Sequence, residues 1–241
     1  MTTHATTATT VAATAGATRR RTVAQALVEF LAHQYTERDG RRRRLVAACW
    51  GIFGHGNVAG IGQALLESEG ALPYLQGRNE QAMVHAAVGY ARQCDRLSAH
   101  AVTTSIGPGA TNLVTGAALA TVNRLPVLLL PGDAFATRPA DPVLQQLEVP
   151  GAGDVSVNDA LRPVSRYFDR VHRPEALIPA ALQAMRVLAD PVEAGAVTLA
   201  LPQDVQAEAY EWPEEFFADR TWYVPRPAPD AGALAEAARL V

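Results

Sequence analysis

Three short segments combine an acid, amides and glycines in patterns that chemistry can use. Glu80 stands in Gln76-Gly77-Arg78-Asn79-Glu80-Gln81, directly after an asparagine able to cap a helix. A carboxyl held at a strand end and facing a cleft is a candidate general acid or base. An acid in the first turn of a helix is also favoured by the helix dipole, by about 0.3–1 kcal/mol, with no chemistry implied. Gly107-Pro108-Gly109-Ala110-Thr111-Asn112 places a rigid proline between two glycines just before a helix. Such a start can receive a phosphate, or it can be a tight turn that lets another backbone approach closely. Gly54-His55-Gly56-Asn57-Val58-Ala59-Gly60 has the strand-glycine-helix look of a dinucleotide loop. Its third glycine comes one position late and no ribose-binding acid ends the next strand, so the spacing argues against that cofactor. His55 is one of six histidines, none paired at metal-ligand spacing. Neither a P-loop, a GxSxG elbow nor an HExxH site occurs.

The elements around these loops alternate. Thr22-Val23-Ala24-Gln25 opens a helix with a capping box, and Val23, Ala26, Leu27, Phe30, Leu31 and Tyr35 recur at helical spacing up to Asp39-Gly40. Arg41 to Arg44 reads as a solvated connection. Short apolar runs predict six strands, at 45–53, 72–75, 101–106, 126–130, 164–168 and 196–201. Helices are expected through Ile61, Leu65 and Leu66, from Asn79 to Arg92, through Leu113, Ala117 and Ala120, and from Pro174 to Leu188, with a short one at Val143 to Leu147. Repeated strand-helix units with wholly apolar strands predict an α/β fold, a doubly wound, six-stranded and mostly parallel sheet. Ligands of such sheets bind at the carboxyl ends of the strands, where all three loops leave.

The 241 residues, 49% of them hydrophobic and 19% charged, suffice for one large core. Residues 1–20, rich in Thr and Ala, do not match a secretory signal; their acid-free composition faintly resembles an organellar transit peptide, but without its amphipathic pattern they read better as a disordered tail. Residues 21–211 form the expected domain, 212–230 an aromatic and proline-rich linker, and 231–241 the first helix of a truncated middle domain. No apolar stretch reaches membrane-spanning length. A formal charge of −3 gives no basic excess for nucleic acid. Cys49 and Cys94 cannot build a disulfide framework and read as reduced, buried thiols of a cytoplasmic protein.

Taken together, the loops resemble the pyrimidine-binding domain of thiamine diphosphate enzymes of the acetolactate-synthase-like type. The residues that carry the resemblance are Asn79-Glu80-Gln81-Ala82, Gly89-Tyr90-Ala91-Arg92, the run Ser105 to Gly116, and Leu201-Pro202-Gln203-Asp204-Val205. The likeness spans about Thr22 to Trp212. Cys49 to Val58, Pro142 to Glu148, Asn158-Asp159-Ala160, Arg173-Pro174-Glu175 and Gln183 to Leu188 narrow it to members that open a cyclic diketone with water in myo-inositol breakdown. The resemblance implies thiamine diphosphate and Mg²⁺ as cofactors, a cyclic diketone substrate, and a homodimer or homotetramer formed through the sheet-end face. It assigns Glu80 the catalytic carboxyl, hydrogen-bonded to N1′ of the aminopyrimidine so that the thiazolium C2 proton can leave. It places Gly54, His55, Gly56, Asn57, Gly107, Pro108, Gly109 and Asn112 near the cofactor. A dry pocket is expected, with Ala82, Met83 and Ala86 beside Glu80. The glutamine that usually follows Phe in acetolactate synthases is not evident near Phe135. The family's Gly-Asp-Gly motif is absent, so no metal ligand is assigned here. An acetolactate-synthase-like lyase or ligase, or a non-catalytic module of the same fold, are the alternatives.

Overall fold

The computed structural model describes residues 16–137 and 143–241. The first part of the expected tail and the prolines Pro139 and Pro142 lie outside the described residues. In chain order the elements are β1 (Thr18–Thr22), α1 (Val23–Ala32), β2 (Gln34–Arg38), β3 (Arg41–Arg44), β4 (Val46–Gly51), α2 (Gln63–Glu67), β5 (Tyr74–Gln76), α3 (Glu80–Gln93) and β6 (Ala99–Thr104). There follow α4 (Pro108–Thr111), α5 (Val114–Val122), β7 (Val127–Asp133), β8 (Tyr167–Arg170), α6 (Leu177–Ala189), β9 (Ala196–Pro202), α7 (Gln203–Ala207), β10 (Ala209–Pro213), β11 (Arg220–Tyr223) and α8 (Ala231–Leu240).

Six strands form the central sheet in the order β5-β4-β6-β7-β9-β8, and every neighbouring pair is parallel. Alternation along the strands divides the core in two. Ala101, Leu128 and Leu130 join the layer of α1, α2 and α6, while Val102, Val127 and Leu129 join the layer of α3 and α5. Both faces are covered, which is why β7 and β9 are buried throughout. Chain order reverses between β4 and β6, and that reversal opens a crevice at their carboxyl ends.

Several expectations need correction. The first helix keeps its capping box: Gln25 N–H donates to Thr22 Oγ1 at 3.2 Å and Thr22 N–H to Gln25 Oε1 at 2.9 Å. It ends at Ala32 rather than beyond Tyr35. Asp39 and Gly40 both have positive φ, 55° and 72°, and make a two-residue hairpin turn, so Arg41–Arg44 is a strand and not a loop. Residues 18–20 are not tail: β1 pairs antiparallel with β10, and Arg19 forms ion pairs with Glu29 and Glu214. Nor is the segment after 212 simply a linker. Trp212 is fully buried and stacks on Phe216 at 5.5 Å, and β11 pairs in parallel with β2. Those aromatics serve the core of the α1 layer. The short helix expected at Val143 to Leu147 is a turn, because Gln145 adopts a left-handed φ of 63°. Cys49 is buried, and burial pushes its thiol up to about 12, while Cys94 is only half-buried; both are free. No helix among the described residues is long and apolar enough to cross a membrane.

One packing detail has a pH signature. His100 is nearly buried, stacks on Tyr90 at 3.8 Å, and accepts the Trp50 indole N–H on Nδ1 at 2.9 Å. Desolvation lowers its pKa to about 4. The unfolded chain, with an ordinary value near 6.5, therefore binds a proton that the folded chain refuses. The stabilisation is complete above about pH 6.5 and is lost as pH falls towards 4, by about 2 kcal/mol allowing for partial solvent access. Urea unfolding between pH 7 and 4 measures it. A His100→Gln chain should show a flatter profile, and an unchanged slope would remove His100 as its source.

Candidate active site

Glu80 is the first residue of α3. The helix starts there because Asn79 takes an extended conformation and its Oδ1 accepts the Ala82 N–H at 2.9 Å. The carboxyl group is half-buried and divided in its engagements. Oε2 accepts a hydrogen bond from Asn112 Nδ2 at 2.8 Å. Oε1 has no hydrogen-bond partner among the described residues and faces Gly109, where an added β-carbon would lie 3.4 Å from it. The same β-carbon would lie 2.3 Å from Ser105 Oγ, so glycine is what keeps this side of the carboxyl open. The cleft is lined by Glu80, Ser105, Pro108, Gly109, Thr111, Asn112 and Gln145.

The glycine loops shape this cleft by close backbone approach. Gly107 has φ 61°, and a β-carbon there would lie 2.0 Å from the carbonyl oxygen of Gln145. Gly56 has φ 97°, and its β-carbon would strike Ile106 Cγ2 at 2.2 Å. Gly54 packs on Ser105, and its β-carbon would lie 3.5 Å from Gln145 Oε1. These contacts bring the loops after β4 and β6 together at the point where strand order reverses.

The structure thus gathers Glu80, Pro108, Gly109 and Asn112 into one cleft, with Gly54 and Gly107 as its backing. His55, Gly56 and Asn57 do not line it. Asn57 is buried and serves its own loop: Oδ1 accepts the Gly54 N–H at 3.0 Å, and Nδ2 donates to Ile52 O at 3.1 Å and Thr103 Oγ1 at 3.3 Å. His55 holds Ile106 N–H through its carbonyl at 3.0 Å, while its Nε2 is buried with no hydrogen-bond partner among the described residues. Of the residues expected beside Glu80, Met83 is buried but Ala82 and Ala86 are exposed, so this chain by itself does not make the pocket dry. Gln145 and Ser105 also line the cleft, a placement that the sequence analysis did not assign to them. Gln145 lies twelve residues beyond the end of β7, in a left-handed turn that lies against Gly107.

Beside the cleft a charged network holds the segment that carries Gln145. Asp133, at the end of β7, is buried and pairs with Arg170 Nε at 2.5 Å. Burial alone would lower the Arg170 pKa, but Asp133 and Asp159 outweigh it and raise the value. Ser156 Oγ donates to Asp133, and Arg170 Nη2 reaches Asp159 at 3.2 Å. Asp204 fixes the start of the same stretch, with Oδ1 on the Ala136 N–H at 2.9 Å and Oδ2 on the Thr137 N–H at 3.1 Å. Burial opposes its charge, but these amides hold its pKa below the usual carboxylate range. Among the described residues no three His, Cys, Asp or Glu side chains converge as a metal site.

The carboxyl cleft lies at the switch point of a parallel sheet, where ligands of such sheets bind, and comparison with known proteins shows what the chain is similar to. Residues 41–152 match the family described as thiamine pyrophosphate enzyme, N-terminal TPP binding domain. The chain is 55% identical over 224 residues to the 3D-(3,5/4)-trihydroxycyclohexane-1,2-dione hydrolase of Geobacillus thermodenitrificans, covering 93% of this chain and 35% of that protein. It is 52% identical, with the same coverage, to the proteins of that name from Bacillus thuringiensis and Bacillus cereus. The chain therefore spans about a third of the length of the curated relatives it matches.

Proposed function

We propose that this chain is the pyrimidine-binding part of a thiamine diphosphate-dependent hydrolase that opens trihydroxycyclohexane-1,2-dione with water to 5-deoxy-glucuronate. One observation carries the assignment of the site: Glu80 is fixed at one oxygen by Asn112 while the other faces an opening that Gly109 keeps free. That combination fits a flat, nitrogen-bearing ring, because the carboxyl can approach its edge without a side chain between them. Bound there, thiamine diphosphate supplies a nucleophilic carbon and an electron sink for cleavage of a C–C bond. With that group bound, Glu80 Oε1 would be the atom able to hold a proton at the ring's edge. Asn112 stops the carboxylate from rotating away, and Gly109 sets the distance of approach. The Gln145 amide and the Ser105 hydroxyl offer donors and acceptors to a polyhydroxylated ketone.

A second subunit completes the site in this reading. Val58, Leu144, Leu147, Val149 and Val155 are all more than half exposed, and they belong to segments that leave the carboxyl ends of β4 and β7. Covering them would dry the cleft around Glu80, as acid–base chemistry at this carboxyl requires. Mg²⁺ and the diphosphate are assigned to the part of the relatives' length that this chain does not span, since the sequence has no Gly-Asp-Gly motif.

Two measurements test the reading. The full-length protein should consume the cyclic dione with uptake of one water; acetolactate from pyruvate, with the dione untouched, would favour the lyase or ligase alternative. Residues 1–241 alone should bind thiamine diphosphate no better than about millimolar, about −4 kcal/mol, because only ring contacts remain. Calorimetric titration with Mg²⁺ decides it: micromolar, magnesium-dependent binding would overturn the placement of the diphosphate site.

A further inference from the structure

The four arginines of β3 form the outer strand of the sheet β11-β2-β3, and their side chains divide by face. Arg42 and Arg44 are engaged. Arg42 Nη2 donates to Asp219 Oδ2 at 2.9 Å and its guanidinium lies 3.6 Å over the Tyr35 ring, while Arg44 donates to the Ala71 carbonyl. Arg41 and Arg43 instead line a cavity with Arg38, Arg226, Asp39 and Asp95. An adjoining cavity shares Arg38, Arg226 and Asp95 and adds Arg92, Arg96 and Asp190.

Across the two cavities six guanidinium groups meet three carboxylates. Only Arg226 is firmly held, with Nε 3.0 Å from each Asp39 oxygen. Arg38 reaches Asp39 and Asp95 only at 4.0 and 3.9 Å. Among the described residues Arg41, Arg43 and Arg96 have no ion pair. Arg96 also sits at φ 63°, a backbone that glycine would take more easily. A solvated edge strand needs charge only on its own residues. Here arginines from β2, β3, the end of α3 and the segment after β11 converge on one concavity, in a chain whose net charge is −3. Leu97, two residues before β6, lines it, so the cavity lies at the amino-terminal edge of the sheet. Glu80 is at the opposite edge, separated by the length of the 14-residue α3, about 20 Å.

We propose that this concavity is a binding site for a compact anion carrying two or more phosphoryl groups, separate from the Glu80 cleft. Guanidinium forks match phosphate oxygens two at a time, and several forks around one hollow suit several phosphoryl groups rather than one carboxylate. The excess of positive over negative charge in this concave surface also draws such an anion in.

The test is calorimetric titration of residues 1–241 with inorganic tripolyphosphate, in a phosphate-free buffer at low salt. Saturable binding with one anion per chain is expected, at a Kd below about 0.1 mM and weakening steeply with salt. Arg41→Ser with Arg43→Ser should weaken it at least tenfold with an unchanged circular dichroism spectrum, while Arg173→Ser and Glu80→Gln should leave it unchanged. Arg41→Lys with Arg43→Lys should give an intermediate Kd, since charge is kept and the forks are lost. Equal binding by the double serine variant, loss in Glu80→Gln, or no saturation by 5 mM would each overturn the proposal. So would binding that disappears in the full-length protein, which would give this surface to downstream chain.

Discussion

Replacing Glu80 by Gln in the full-length protein should cut the exchange of the bound cofactor's C2 proton by about 10²–10⁴. The amide keeps the shape of the side chain and can still accept from Asn112 Nδ2, so the start of α3 should survive. The Asn79 cap does not involve Glu80, which is a second reason for the fold to hold. What is lost is a group at Oε1 able to hold a proton in one state and release it in the next. Thermal unfolding should therefore move little while exchange, followed by NMR in deuterated buffer, collapses. Wild-type exchange in the variant would return Glu80 to the simpler role of an acid placed to suit the helix dipole.

The sequence was most legible where local and global demands agree. Runs such as Val127 to Leu130 are apolar at every position because both sheet faces are covered, and the strands so read all lie in the central sheet. The start of α3 was legible because capping by Asn79 fixes it, and with it the position of Glu80 in the first turn. The hairpin of β2 and β3 was misread because Asp39-Gly40 ends a helix as readily as it turns a hairpin. The difference lies in the pairing of β2 with β11, nearly 190 residues away. Trp212 and Phe216 were misread for a similar reason: prolines around them suggested an extended connection, yet their rings fill the core beside Phe30. Gln145 was invisible because no periodicity marks a residue whose place depends on Gly107 and on a buried ion pair elsewhere.

That ion pair is the other point of large effect. Arg170 is 11% exposed at its side chain and Asp133 1%, so the Arg170→Met chain leaves a buried carboxylate without its countercharge. The expected loss is about 3–5 kcal/mol in urea unfolding. Replacing both partners, Asp133→Leu with Arg170→Met, removes the stranded charge as well, and should recover a large part of that loss. The cost should also be felt locally. Asp133 receives the Ser156 hydroxyl, Arg170 holds Asp159, and Glu148 accepts the Val157 N–H at 3.0 Å, so one network closes the segment on which Gln145 rides. In Arg170→Met, limited proteolysis should begin within residues 143–156 before the rest of the domain is cut. A loss below about 1 kcal/mol, with no new cleavage there, would mean that Gln145 is held over the cleft by its contact with Gly107 alone.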